Sequence, residues 1–99
     1  MDISKLQDQN GLTLILSGNV DSSAAPKLEA ELIPELDNFE NIVLDLKDIK
    51  YISSAGMRVL LMGEKKAKAK GGKQTIKNVS PFVMEIFDVT GFQNILNFE

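Results

Sequence analysis

The 99-residue chain contains no cysteine, no histidine and no tryptophan, and only three prolines. The first two absences exclude a disulfide, a thiolate or imidazole zinc site, a cysteine nucleophile and any triad with histidine as its base. Basic charge is also scarce, with 11 Lys and Arg against 14 Asp and Glu and a formal charge of −3. A nucleic-acid partner held by phosphate neutralisation needs the opposite balance, so none is expected. No apolar run approaches the roughly eighteen residues of a membrane span. Met1-Asp2-Ile3-Ser4 lacks the basic-then-apolar layout of a secretory signal. The expectation is a cytoplasmic protein without membrane contact.

What is present suits a packed domain. A 43% hydrophobic and 25% charged composition is that of a soluble globular chain, and this length leaves no residues for a second core. One domain over residues 1–99 is therefore expected. Asn10-Gly11 lies between two strand-like runs, 3–8 and 12–17, and that dipeptide favours a type I′ hairpin turn. Leu12, Leu14 and Leu16 put one greasy face on the second run. Asp21-Ser22-Ser23 offers helix caps, and the spacing of Ala25, Leu28, Leu32 and Leu36 predicts a helix from near Ser23 that kinks or ends at Pro34.

Ile42 to Leu46 alternates as a strand, followed by a turn through Lys47-Asp48. A second helix is predicted from Ser53 or Ser54 to Gly71-Gly72, with Met57, Leu60, Leu61, Glu64 and Ala67 on its inner face. Lys65, Lys66, Lys68 and Lys70 complement its negative dipole end. Gln74 to Val79 reads as a strand, Ser80-Pro81 opens a short helix that stops at Gly91, and Asn94 to Phe98 reads as a short strand or a helical turn. The fold class is α/β, with a mixed, mostly parallel β-sheet opened by an N-terminal hairpin and helices mainly on one face.

Little in the chain suggests catalysis. Gly63-Glu64-Lys65-Lys66 and Gly71-Gly72-Lys73 lack phosphate-loop spacing, and Asp21, Asp45 and Asp48 are isolated acids of the kind that cap turns. No catalytic residue, metal or cofactor is expected. The segment Tyr51-Ile52-Ser53-Ser54-Ala55-Gly56-Met57-Arg58 places hydroxyls where a strand-end loop becomes a helix. From the residues alone a capping serine accounts for it, because serine oxygen accepts an orphan N–H of the first turn.

That segment resembles the signature of STAS domains, specifically the bacterial anti-sigma factor antagonists, whose loop reads Asp-Ser-Ser/Thr-Gly-Leu. Gly18-Asn19-Val20-Asp21 resembles the family's Gly-Glu-Leu-Asp. Gly71-Gly72, Ser80-Pro81 and Ile86-Phe87-Asp88-Val89-Thr90-Gly91-Phe92 resemble its C-terminal third. The resemblance implies a non-enzymatic partner switch. The unmodified form binds an anti-sigma factor that is also a serine protein kinase, and phosphorylation on Ser54, with Ser53 as the alternative acceptor, releases it. A serine phosphatase that resets the switch is a further implied partner. Asp21, Ser53, Ser54, Gly56, Met57 and Arg58 would line or support the contact surface. Ser53 stands where the family has Asp, and Ala55 stands where it has a hydroxyl residue. A STAS module controlling another kinase, a phosphatase or a lipid transport complex is the alternative within the fold; a small nucleotide-binding domain or enzyme is the alternative outside it.

Overall fold

Strict alternation builds the sheet, and in the computed structural model of residues 1–99 its buried rows line up across three strands. The chain runs β1 (Asp2–Asp8), β2 (Gly11–Val20), α1 (Ala25–Leu32), α2 (Glu35–Asn38), β3 (Asn41–Ile52), α3 (Ser54–Ala69), β4 (Lys73–Lys77), α4 (Pro81–Thr90) and a 3-10 turn at Phe92–Asn94. Strand order is 1-2-3-4, with β1 antiparallel to β2 and the other pairs parallel. Leu12 pairs with Ile42 and Ile42 with Gln74; Leu14 pairs with Leu44 and Leu44 with Ile76. These six residues share one face and all are buried. Leu28, Leu32, Leu60, Val83 and Phe87 from α1, α3 and α4 complete the core over that face. Each such side chain contributes about 1.5–3 kcal/mol by leaving water.

The hairpin closes one residue earlier than expected. Asp8 pairs with Gly11, so Gln9-Asn10 forms the connection, and Asn10 does not take the positive φ of a type I′ turn. The reason is local: Asp8 Oδ1 accepts from Asn10 N at 2.7 Å and supplies an Asx turn instead. Gly11, at φ 140°, passes so close to the Asn41 carbonyl that a side chain there would collide with it.

No turn interrupts β3 at Lys47-Asp48. Ile15 pairs with Asp45 but Ser17 pairs with Asp48, and Gly18 pairs with Ile49 but Asn19 pairs with Tyr51. Each shift absorbs one extra residue on β3, as a β-bulge does. The first bulge turns Ile49 into the core where strict alternation from Leu46 would put Asp48, and the second restores the original alternation so that Ile52 is buried and Tyr51 faces out.

The helices follow their predicted stripes with one exchange. Ala25, Leu28 and Leu32 of α1 and Leu36 of α2 are buried, and the break falls at Pro34, which lacks the N–H a continuing helix would donate. On α3, Met57, Leu60, Glu64 and Ala67 are buried, but Leu61 is half-buried and Val59 and Gly63 take its place. A Cβ on Gly63 would run into the Gln74 side-chain oxygen and come within 3.1 Å of Leu32 Cδ2, so this glycine lets α3 approach both β4 and α1. The lysines do more than complement a dipole. Lys66 and Lys70 grip Asp37 at 3.0 and 2.8 Å and tie α3 to α2.

Ser80 Oγ accepts from Val83 N at 3.3 Å to start α4, and Gly91 ends it at φ 81°. The strand or helical turn expected over Asn94 to Phe98 forms as neither: the helical turn falls earlier and the strand shrinks to one bridge. A 3-10 turn spans Phe92–Asn94, then Phe98 bridges in parallel to Ile76.

Candidate functional site

Parallel pairing brings the carboxyl ends of β2 and β3 together, and the next residues of both strands meet there. Val20 pairs with Ile52, and the Val20 carbonyl accepts from Ser53 N at 2.8 Å. Asp21 follows on one side and Ser53-Ser54 on the other.

Ser53 is the N-cap of α3. Its Oγ accepts from Gly56 N at 3.1 Å, its carbonyl accepts from Met57 N at 2.9 Å, and the residue is only 8% exposed. Ser54 is the first helical residue and is exposed. Its hydroxyl stands at the positive end of the helix dipole, where the first-turn N–H groups lack intrahelical partners. Arg58, one turn later, is exposed as well.

Gly56 and Met57 lie beneath this surface. A Cβ on Gly56 would sit 2.7 Å from Val20 Cγ1, 3.0 Å from Ile52 Cγ1 and 3.1 Å from the Val20 carbonyl oxygen. Only glycine lets the first turn of α3 rest on the ends of both strands. Met57 is 4% exposed, and its sulfur accepts from Thr90 Oγ1 at 3.6 Å, which links this turn to the end of α4.

Asp21 organises the opposite lip. Its Oδ1 accepts from Ser23 Oγ at 2.7 Å and Ala24 N at 2.9 Å, and its carbonyl accepts from Ala25 N at 3.0 Å. These bonds make Asp21 the effective cap of the turn leading into α1. They favour the carboxylate, Ser23 first and the Ala24 backbone next, and hold Asp21 below the usual aspartate range.

Two contributors lie outside the sequence-derived set. Val20 supplies the carbonyl that anchors Ser53, a role invisible without the strand register. Tyr51 is 44% exposed two residues before Ser53, placed outward by the second bulge of β3. An exposed aromatic beside a polar site was the available signal; the assumed turn at Lys47-Asp48 concealed it.

A mixed four-stranded sheet under a one-sided helical layer, with an exposed serine at the start of its central helix, defines a class. A family model described as Mlab, STAS domain matches residues 3–97, and the chain belongs to the STAS domain family. Within that family it stands with the anti-sigma factor antagonists. It is 41% identical over 85 residues to BtrV of Bordetella bronchiseptica, which bears that name, covering 85% of this chain and 73% of that one. It is 28% identical over 97 residues to the anti-sigma-B factor antagonist of Bacillus subtilis, covering 98% and 89%. In fold it resembles the Bacillus cell fate determinant SpoIIAA in its phosphorylated form, with a TM-score of 0.76 at 16% identity, covering 99% and 91%.

Proposed function

We propose that this chain is a binding module rather than an enzyme, an anti-sigma factor antagonist switched at Ser54. Unmodified, it binds an anti-sigma factor that is also a serine kinase, and a sigma factor is freed. The kinase transfers the γ-phosphoryl group of ATP to Ser54 Oγ: the new O–P bond forms, the bond to ADP breaks, and the hydroxyl proton leaves to a base on the kinase. The antagonist then lets go.

The observation that carries this reading is the division of roles between two adjacent serines. Ser53 Oγ is buried and occupied as the cap, whereas Ser54 is exposed at the helix start. A phosphate there adds about −1.5 to −2 charge, which the first-turn N–H groups and the dipole stabilise. The domain therefore tolerates the modification. A partner surface shaped around a neutral hydroxyl does not, because a phosphate buried without a cation loses hydration worth several kcal/mol. A hundredfold loss of affinity needs only ~2.7 kcal/mol. Asp21, Tyr51 and Arg58 would form the contact rim, with Gly56 and Met57 holding the helix start in place.

The test is to incubate the chain with its co-purifying kinase and ATP, locate the phosphate by mass spectrometry, and titrate both forms against that partner. Phosphate on Ser54 with at least a hundredfold weaker binding is expected. Ser54→Ala should bind constitutively and Ser54→Glu should lose less than the phosphoserine form does, since a carboxylate carries about half the charge. Phosphate on Ser53 alone would move the site; equal affinities of the two forms would remove the switch.

A further inference from the structure

Helix α4 is apolar on almost every side. Val83 and Phe87 face inward and Met84 is half-buried. Phe82 and Val89 nevertheless stand 60% and 78% exposed, more than any other large apolar residue of the chain. With half-buried Ile86 they form a stripe at helical spacing, and together with Glu85 the three line a surface groove of about 230 Å³. Single exposed apolar residues are ordinary; a contiguous stripe on one helix flank marks a contact site.

The stripe belongs to the Ser54 end of the molecule. β3 and β4 are parallel, so α3 and α4 start at the same end of the sheet. At about 100° per residue, Phe87 and Ile86 lie on opposite sides of Thr90 around the helix. Phe87 turns toward Phe98 at the β4 edge, whereas Thr90 touches Met57 in the first turn of α3. The flank beyond Thr90, with Ile86, Phe82 and Val89, therefore continues from the helix start that presents Ser54.

Size and composition join the two. The lips around Ser54 expose polar groups, those of Asp21, Ser54 and Arg58. A protein interface of ordinary size takes about 800 Å² from each partner, a patch roughly 30 Å across, with apolar and aromatic groups at its centre and charge at its rim. The molecule measures 31 × 26 × 22 Å, so a partner seated on Ser54 spans that end and covers α4. Glu85 and Asp88 border the stripe on the side away from Thr90. Both are exposed, and neither pairs with a cation of this chain.

We propose that Phe82, Ile86 and Val89 form the apolar anchor of the surface that Ser54 switches, and that its occupant is an apolar patch of the anti-sigma factor flanked by lysine or arginine opposite Glu85 and Asp88. This rests on the reading of Ser54 as the switch. α4 supplies affinity to both forms of the chain, and Ser54 supplies the difference between them.

The probe is the purified partner kinase, titrated against the full chain and against a variant carrying both Phe82→Ser and Val89→Ser. Both positions are exposed, so the melting temperature should stay close to the parent's. Binding should weaken at least tenfold, chiefly through faster release, while the ratio between unmodified and Ser54-phosphorylated forms is kept. Should the double variant melt early, Val89→Ser alone repeats the measurement. Glu85→Lys should weaken binding at low salt, and unchanged or tighter binding there overturns the basic flank. Parent-like affinity in the folded variants overturns the anchor and leaves the switch standing. Weakened binding together with equal affinities of the two phosphorylation states overturns the switch and leaves the anchor standing; a parent chain that does not bind the kinase overturns both. Sedimentation tests the other occupant: self-association of the parent that the double variant loses would make it a second copy and overturn the assignment to the anti-sigma factor.

Discussion

The backbone N–H of Ser53 donates to the carbonyl of Val20 across 2.8 Å, so the residue that caps α3 is bolted to the end of the neighbouring strand. The consequence reaches Ser54. Its position at the helix start is set by the sheet itself and not by a free loop, and rigid elements hold a recognition group more tightly than loops do.

The two serines should separate cleanly by mutation. Ser53→Ala removes a buried cap and should cost about 1 kcal/mol, whereas Ser54→Ala removes an exposed hydroxyl and should stay within about 0.5 kcal/mol of the parent. Denaturant unfolding of both variants measures the difference. A larger cost for Ser54→Ala would reassign the cap.

Gly56→Ala opposes two effects. Helix propensity favours alanine by ~1 kcal/mol, but the added methyl meets Val20 Cγ1 at 2.7 Å and the Val20 carbonyl at 3.1 Å. Val20 is fully buried and β-branched, so it has little room to yield. Overpacking of this kind costs about 1–3 kcal/mol and should win. Unfolding midpoints decide it, and a variant more stable than the parent with unchanged partner binding would show that close approach is not needed.

Most of the fold was legible because local signals agreed with the global arrangement. Alternation at Leu12 to Leu16 and Ile42 to Leu46, the caps at Ser53 and Ser80, and the break at Pro34 all act within a few residues of their effect. What escaped depends on partners distant in sequence. The bulges of β3 arise from pairing with β2, Gly63 is explained only by Gln74 and Leu32, and the grip of Lys66 and Lys70 on Asp37 joins two helices. The same boundary runs through the site. Two adjacent serines announce a capped helix, yet which of them is the cap is decided by the strand register that places Ser53 against Val20.

Asp21→Asn tests the opposite lip. Asparagine caps about as well as aspartate, so the melting temperature should hardly move. The negative charge beside the strand ends disappears, and phosphorylation of Ser54 should slow if that charge orients the kinase or the hydroxyl. Initial rates of phosphate incorporation measure this, and unaltered kinetics would take Asp21 out of the site. Asp21→Ala, by contrast, also loses the bond to Ala24 N and should lower the melting temperature where Asp21→Asn does not.

Acid should weaken the fold through two kinds of carboxylate that salt can tell apart. Asp37 is held below its usual range by Lys70 first and Lys66 next; Asp21 is held down by Ser23 and the Ala24 backbone. A depressed folded pKa means that the unfolded chain takes up protons first. The stability these groups supply is therefore present above the ordinary aspartate value of about 4 and fades as pH falls through their lower folded values. Asp37 owes its shift to exposed lysines, which added salt screens, whereas Asp21 owes its shift to neutral donors, which salt leaves largely alone. Unfolding midpoints measured from about pH 6 downward, at low and high salt, should show an acid decline that salt reduces in part. Asp37→Asn should reduce the salt-sensitive part without abolishing it, because Glu35, held down by Asn38 first and Lys5 next, keeps a salt-sensitive share. A variant with the same pH slope and the same salt response as the parent would mean that the grip of α3 on α2 adds nothing to stability in solution.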